Sequence, residues 1–239
     1  MIEEQQENPF SLSIGDLMAA LLLLFVLILM GVLLQLQQQV ERQELVVDKF
    51  DNLNEELYQD LLSEFKDDLD DWHATIIDTT LSIRFEEPRM LFDNGEHELK
   101  DTFKIILDDF FPRYLSVIRR EKYLDEISEI RIEGHTSSSG VGSRDDNYIE
   151  NLRLSQNRAR YTLHYLFGNG SMNEEEKVWC ISKFTANGLS WSKTIVDPET
   201  KEEDENLSRR VEFRVKIDAE KKLRDLSKLI KRERLKSGQ

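Results

Sequence analysis

Asp16 is the first residue in this chain whose type and place raise a chemical question. It opens the apolar run LMAALLLLFVLILMGVLL, and a carboxylate at the centre of a bilayer costs about 2.5–3.5 kcal/mol on insertion scales. Groups in that position are rare and usually functional. Near a helix end, with Ser13 three residues earlier, the same side chain serves as an interfacial cap. Ala19 and Ala20 fall on the helical face of Asp16, where their small side chains leave room for water or a neighbouring helix. The other chemistry-bearing types cluster in and around GHTSSSGVGSRDDN, residues 134–147. His135 has no second His or Cys at ligand spacing and reads as structural rather than metal-binding or catalytic. Ser137 to Ser139 have no base at a spacing that would make one of them a nucleophile. No hydrolase set emerges, and neither enzyme activity nor a metal or other cofactor is expected.

These residues need elements to hold them. The run Leu17 to Leu34, extended back through Ile14, Leu12 and Phe10, suits one helix across a ~30 Å hydrocarbon core. The flank before it, MIEEQQENPF, carries no Lys or Arg, and no small-x-small cleavage site follows. A retained anchor is therefore expected rather than a cleaved signal peptide. The first basic side chain, Arg42, lies after the span, so the positive-inside rule alone places the N-terminus outside. Between Val32 and Glu87 there is no Gly or Pro, and apolar residues recur every three or four positions from Leu36 to Trp72. That pattern predicts a helix continuing out of the membrane, either a solvated amphipathic helix or a dimer-forming stalk.

After Trp72 the pattern becomes that of a compact mixed domain. TTLSIRFE, EISEIRIEGH and RRVEFRVKI alternate as strands, with a short extended piece near Gly188. ELKDTFKIILDDFFPRYLSVIRR, NLRLSQNRARYTLHYLF and NEEEKVWCISKF carry helical stripes. The fold class is α+β: one N-terminal transmembrane helix, a helical stalk and a sandwich of helices on a small sheet. The expected divisions are a head at 1–11, a span at 12–34, a stalk at 35–75, the domain at 76–218 and a basic tail at 219–239. With 47 acidic against 32 basic side chains and a net charge of −15, the chain is no nucleic-acid binder relying on phosphate neutralisation. The single cysteine, Cys180, excludes an internal disulfide and a cysteine zinc cluster.

IEGHTSSSG, NLRLSQNRARYTLHYL and SRRVEF together resemble the OmpA-like peptidoglycan-binding domain, and MLFDNGEHELK is similar to its early signature. The resemblance implies that Asn151, Leu154, Ser155 and Arg158 form the recognition helix. There Arg158 would pair bidentately with a stem-peptide carboxylate near a helix N-terminus. Taken by themselves, Asn151 reads equally as a helix cap and Leu154 as core filler. Where the family carries an aspartate that meets the ligand's amine, this chain has Ser137, and Asp145 or Asp146 is the candidate substitute. A single span, a stalk and such a domain form the architecture of MotB-like stators, whose membrane signature SIGDLMAALLLLFVLILM resembles. In that family Asp16 would carry the ion, with Ala19 and Ala20 beside it; the sequence does not decide between H+ and Na+, and H+ is the preferred expectation.

The implied partners are a MotA-like multi-span ring, a second copy of the chain and peptidoglycan. The implied location is the inner membrane, with the N-terminus cytoplasmic and the domain periplasmic. The short acidic head, SIGDLMAAL and GHTSSSG are more similar to the ZorB subunits of Zorya anti-phage systems, with a ZorA-like ring, than to flagellar MotB. A motility stator and a passive wall tether are the alternatives.

Overall fold

The computed structural model describes residues 9–86 and 88–218. The residues before Pro9 and the basic tail at 219–239 lie outside the described residues. The chain divides into two compact units, one ending at Phe50 and the other beginning at Asp51. Helix α1 (Pro9–Phe65) supplies the described part of the first unit and the start of the second. Its stretch Gly15–Glu41, mean hydropathy 3.2, is long and apolar enough to cross a membrane. Every large apolar side chain from Leu17 to Leu34 is exposed, including Met18 at 69% and Leu29 at 46%. A helix apolar all round needs lipid or partner helices as its surroundings.

In the second unit follow β1 (Ala74–Ile77), β2 (Ser82–Phe85), α2 (Pro88–Leu91), α3 (Asp101–Ile118), α4 (Glu121–Leu124), β3 (Ile127–Gly134), α5 (Arg144–Gly168), α6 (Glu174–Lys183), β4 (Phe184–Gly188), α7 (Glu205–Ser208) and β5 (Val211–Ile217). They build one sheet in the order β1-β2-β5-β3-β4. Only β3 and β4 run parallel, joined by the α5–α6 crossover that parallel strands require. Strand β1 has no alternating pattern in ATII and was not expected. It forms a hairpin with β2 through a turn ending at Leu81, whose φ is 47°.

The helical layer packs on the sheet through aromatic rings. Phe110 of α3 lies 5.2 Å from both Phe65 and Phe85, 5.0 Å from Tyr114 and 5.1 Å from Phe213 between ring centroids. Each such pair adds about 0.5–1.5 kcal/mol beyond simple burial. Leu57, Leu61 and Phe65, one helical turn apart, are fully buried, so the last turns of the presumed stalk belong to the domain's core. Acids there that a solvated face would leave free are paired. Arg113 bonds Glu64 and Asp68, both at 2.8 Å, while Asp60 accepts from Arg120, Lys122 and Tyr123.

Candidate functional site

The polar cluster of the domain is organised around the paired ends of β3 and β4. Gly134 and Gly188 are register partners, and a Cβ on either would run into α5, at the Ser155 carbonyl and the Gln156 backbone respectively. Two glycines side by side therefore let the helix lie directly against the strand ends. Ser155 is fully buried; its Oγ donates to Leu152 O at 3.0 Å and accepts from Ser190 N at 3.0 Å. Gln156 bridges the Ala186 carbonyl and the Gly188 N–H.

Helix α5 starts at Arg144, about two turns before the pattern that suggests a start at Asn151. Ser143 is the cap: its Oγ accepts from Asp146 N at 3.2 Å and donates to Asp146 Oδ2 at 2.6 Å. RDDN has no apolar periodicity, and its acids suit the positive end of the helix dipole, so this first turn was invisible to a hydrophobic reading. The unpaired N–H groups thus lie at Arg144 rather than at Asn151. Asn151 instead reaches with its Nδ2 to Asn147 Oδ1 at 2.7 Å and Ser139 O at 3.3 Å, and Asn147 holds Ser138 O at 2.8 Å. Leu154 is half-buried and stands outside the core cluster, so it is no core filler.

Arg158 is 6% exposed and has no acid within ion-pair distance among the described residues. Its Nε donates to Glu96 O at 2.9 Å, its Nη2 reaches Asp93 O at 3.5 Å, and its guanidinium sits 4.8 Å over the Phe92 ring. Burial, with the charge of Arg209 adding to it, pushes this group down to about 10. Its expected neighbour Ser137 is buried, with its Oγ 2.6 Å from Ser139 Oγ. Of the two acids expected to replace the missing aspartate, Asp146 is engaged in the cap and Asp145 stays exposed on the first turn. The carboxylate that reaches this loop is Glu203, from the acidic insertion. It accepts from Ser138 N at 3.0 and 3.2 Å and from Ser138 Oγ.

Behind the loop lies a buried charge network. Glu133, His135 and Glu212 place ligand atoms within 4.8 Å of one another. Glu212 Oε1 is bonded by Arg210 Nε at 2.6 Å and Arg84 Nε at 3.0 Å, while Arg131 and Arg214 approach Glu133 at 3.9 and 4.0 Å. The protein's own cations thus compensate these acids. Burial would raise the Glu212 carboxyl, but the Arg210 bond and the surrounding positive charge outweigh it and hold it at about 2. Burial first, and then Arg210, lower His135 below its ordinary value. Cys180 is buried and pushed up to about 12, an inert thiol.

In the other unit Asp16 is exposed and, among the described residues, has no hydrogen-bond or ion-pair partner. Ala19 and Ala20 are exposed beside it on α1.

No family model matches the sequence. It is 39% identical over 226 residues to Zorya protein ZorB from Escherichia coli (Crooks strain), covering 94% of each chain. The chain belongs to the ZorB family. A second ZorB, from Escherichia coli O139:H28, is 25% identical over 233 residues, covering 93% of this chain and 86% of the relative. Among solved structures, a MotB-like protein from Desulfovibrio vulgaris aligns with 21% identity and a TM-score of 0.49, covering 72% of this chain and 95% of that one. The periplasmic domain of Helicobacter pylori MotB aligns with 15% identity and a TM-score of 0.45, covering 67% and 90%.

Two features of this ZorB chain escaped sequence reasoning. Glu203 was hidden in a charge run resembling a solvated loop, although DPETKEEDEN is an ordered turn in which Asp197 caps Glu199 and Thr200. The Glu133–His135–Glu212 network joins EGH to RRVE across paired strands, a link that only sheet register supplies.

Proposed function

We propose that this ZorB chain is the ion-translocating, MotB-like stator subunit of a rotary motor complex in the bacterial inner membrane, anchored to peptidoglycan and serving anti-phage defence. What carries the proposal is the union, in one chain, of a membrane-length apolar helix with Asp16 near its start and a domain whose buried Arg158 has no acid partner among the described residues. Asp16 is the ion carrier. Protonation neutralises it in apolar surroundings, deprotonation restores the charge, and each charge crossing 100 mV is worth ~2.3 kcal/mol. H+ is the ion proposed, because a carboxyl takes it up covalently and becomes neutral on the apolar helix.

The exposed apolar flanks of Gly15–Glu41 provide the surface for a second copy of the chain and for a MotA-like, ZorA-like ring of multi-span subunits. The N-terminus is cytoplasmic and the domain periplasmic. A stem-peptide carboxylate meets Arg158 on the helix that carries Asn151 and Leu154, the buried Ser155 and Ser137 act as supports behind the ligand, and Glu203 offers the acid for the peptide's amine. Asp16→Asn tests the motor: it abolishes protection against phage while expression and sedimentation with purified wall persist. Full protection by that variant would reduce the chain to a passive tether.

A further inference from the structure

Tyr148 and Ile149 on α5 and Trp191 and Ser192 after β4 line an open cavity of about 520 Å³, with Arg144 and Asp145 at its rim. That volume lies within the ~300–1,000 Å³ typical of ligand sites. The Tyr148 and Trp191 rings stand nearly perpendicular, at 88° and 5.3 Å between centroids, and form two aromatic walls. Ile149 is 58% exposed and Trp191 is only half-buried, although both are large apolar groups. The Trp191 Nε1–H has no hydrogen-bond partner, a donor that native structures rarely leave unused.

We propose that this cavity is a subsite for one pyranose ring of the wall's glycan strand. It rests on the wall-anchored reading above and extends it from the peptide to the sugar. A pyranose has an apolar C–H face and a rim of hydroxyl and acetamide groups. Aromatic walls suit the face, while Arg144 as donor and Asp145 as acceptor suit the rim. The Arg144 guanidinium lies 5.6 Å over the Trp191 ring, so a ligand cation meets a like charge there, whereas a pyranose stacks on the ring as Arg144 swings aside to its hydroxyl rim. A modest rotation of the indole on binding brings Nε1–H to a sugar oxygen.

Placement adds support. Ser190, next to Trp191, donates from N to Ser155 Oγ and from Oγ to Tyr148 O, and accepts from Thr136 N. The aromatic walls are thereby fixed to the segment that holds Ser155 and the turn after β3, so a stem peptide and its own sugar can engage one side of the domain together.

The test uses the full-length protein in detergent micelles, with calorimetric titration of the N-acetylglucosamine tetramer and parallel sedimentation with purified sacculi. Wild type is expected to bind the tetramer saturably. Trp191→Ala and, where that variant fails to fold, Arg144→Ala lower that affinity about tenfold, equivalent to ~1.4 kcal/mol. Arg158→Ala keeps tetramer binding and loses sedimentation. No saturable heat with the tetramer, while wild type still sediments, overturns the subsite and leaves the wall reading intact. Tetramer binding unchanged in Trp191→Ala and Arg144→Ala overturns its location. Failure of wild type to sediment overturns the wall reading, and the subsite with it.

Discussion

The membrane helix and the interior of the domain treat charge in opposite ways. In the domain Glu212 is almost fully buried yet bonded by two arginines, and the stalk-end acids are matched by Arg113, Arg120 and Lys122. Along Gly15–Glu41, Asp16 stands with no partner among the described residues, on a stretch whose large apolar side chains are exposed. Burying an uncompensated charge is costly, so a fold built for stability pairs it. Asp16 and the buried Arg158 have no ion-pair partner among the described residues, and in the function proposed above a moving ion and a ligand anion take that place. The lesson is that the unpaired charges, not the densest charge cluster, mark the candidate sites.

That contrast is breakable. The largest effect is expected from Glu212→Ala, which strands the buried Arg210, takes one of two acid partners from the half-buried Arg84 and costs about 3–5 kcal/mol, seen as a fall in the thermal midpoint. An unchanged midpoint would mean that the network contributes nothing to the fold. Acidification is expected to act next and in the same direction. Glu212 sits at about 2 when folded against 4.5 ordinarily, so the unfolded chain binds the proton first and stability present above pH 4.5 is lost as pH falls toward 2. This amounts to something on the order of 3 kcal/mol. His135, held below its ordinary 6.5, likewise removes stability as pH drops below that value. Denaturant melts from pH 7 to pH 3 measure both, and a melt rising on acidification would contradict the assignment.

Arg158→Ala is expected to change stability by only about 1 kcal/mol, since it deletes two bonds to carbonyls together with an unpaired buried charge. Its sedimentation with purified wall is expected to fall sharply. Arg158→Lys keeps the charge without the planar fork and should fall nearly as far. The smallest effect belongs to Leu24→Ala: with the side chain 57% exposed in the chain itself, folding stability should change by under about 0.5 kcal/mol. A large change in the isolated chain would place Leu24 in a contact, with its own chain or a second copy, that the exposed side chain does not make here.

Much of the architecture was legible because it is written in short-range periodicity. The apolar span, β3 and β5 show their patterns within ten or twenty residues, and the α+β class followed from them. The beginning of α5 was not legible, because its first turn is defined by a serine cap and acids instead of an apolar stripe. Nor was the domain's reach back to Leu57: the same heptad-like spacing describes a free stalk and a helix packed on Phe110, and only the surface presented by α3 distinguishes them.

From the sequence alone came the presence of one carboxylate on a membrane-length helix, the glycines that end β3 and β4, and the residue types of the wall-binding motif. Tertiary structure alone decided which charges are paired, because the partners are remote in sequence: Arg84 meets Glu212 through β2–β5 pairing, and Ser138 meets Glu203 through an ordered turn. Periodicity reports which face of an element is apolar. It holds no information on which two faces meet, and pairing of charge is a property of that meeting.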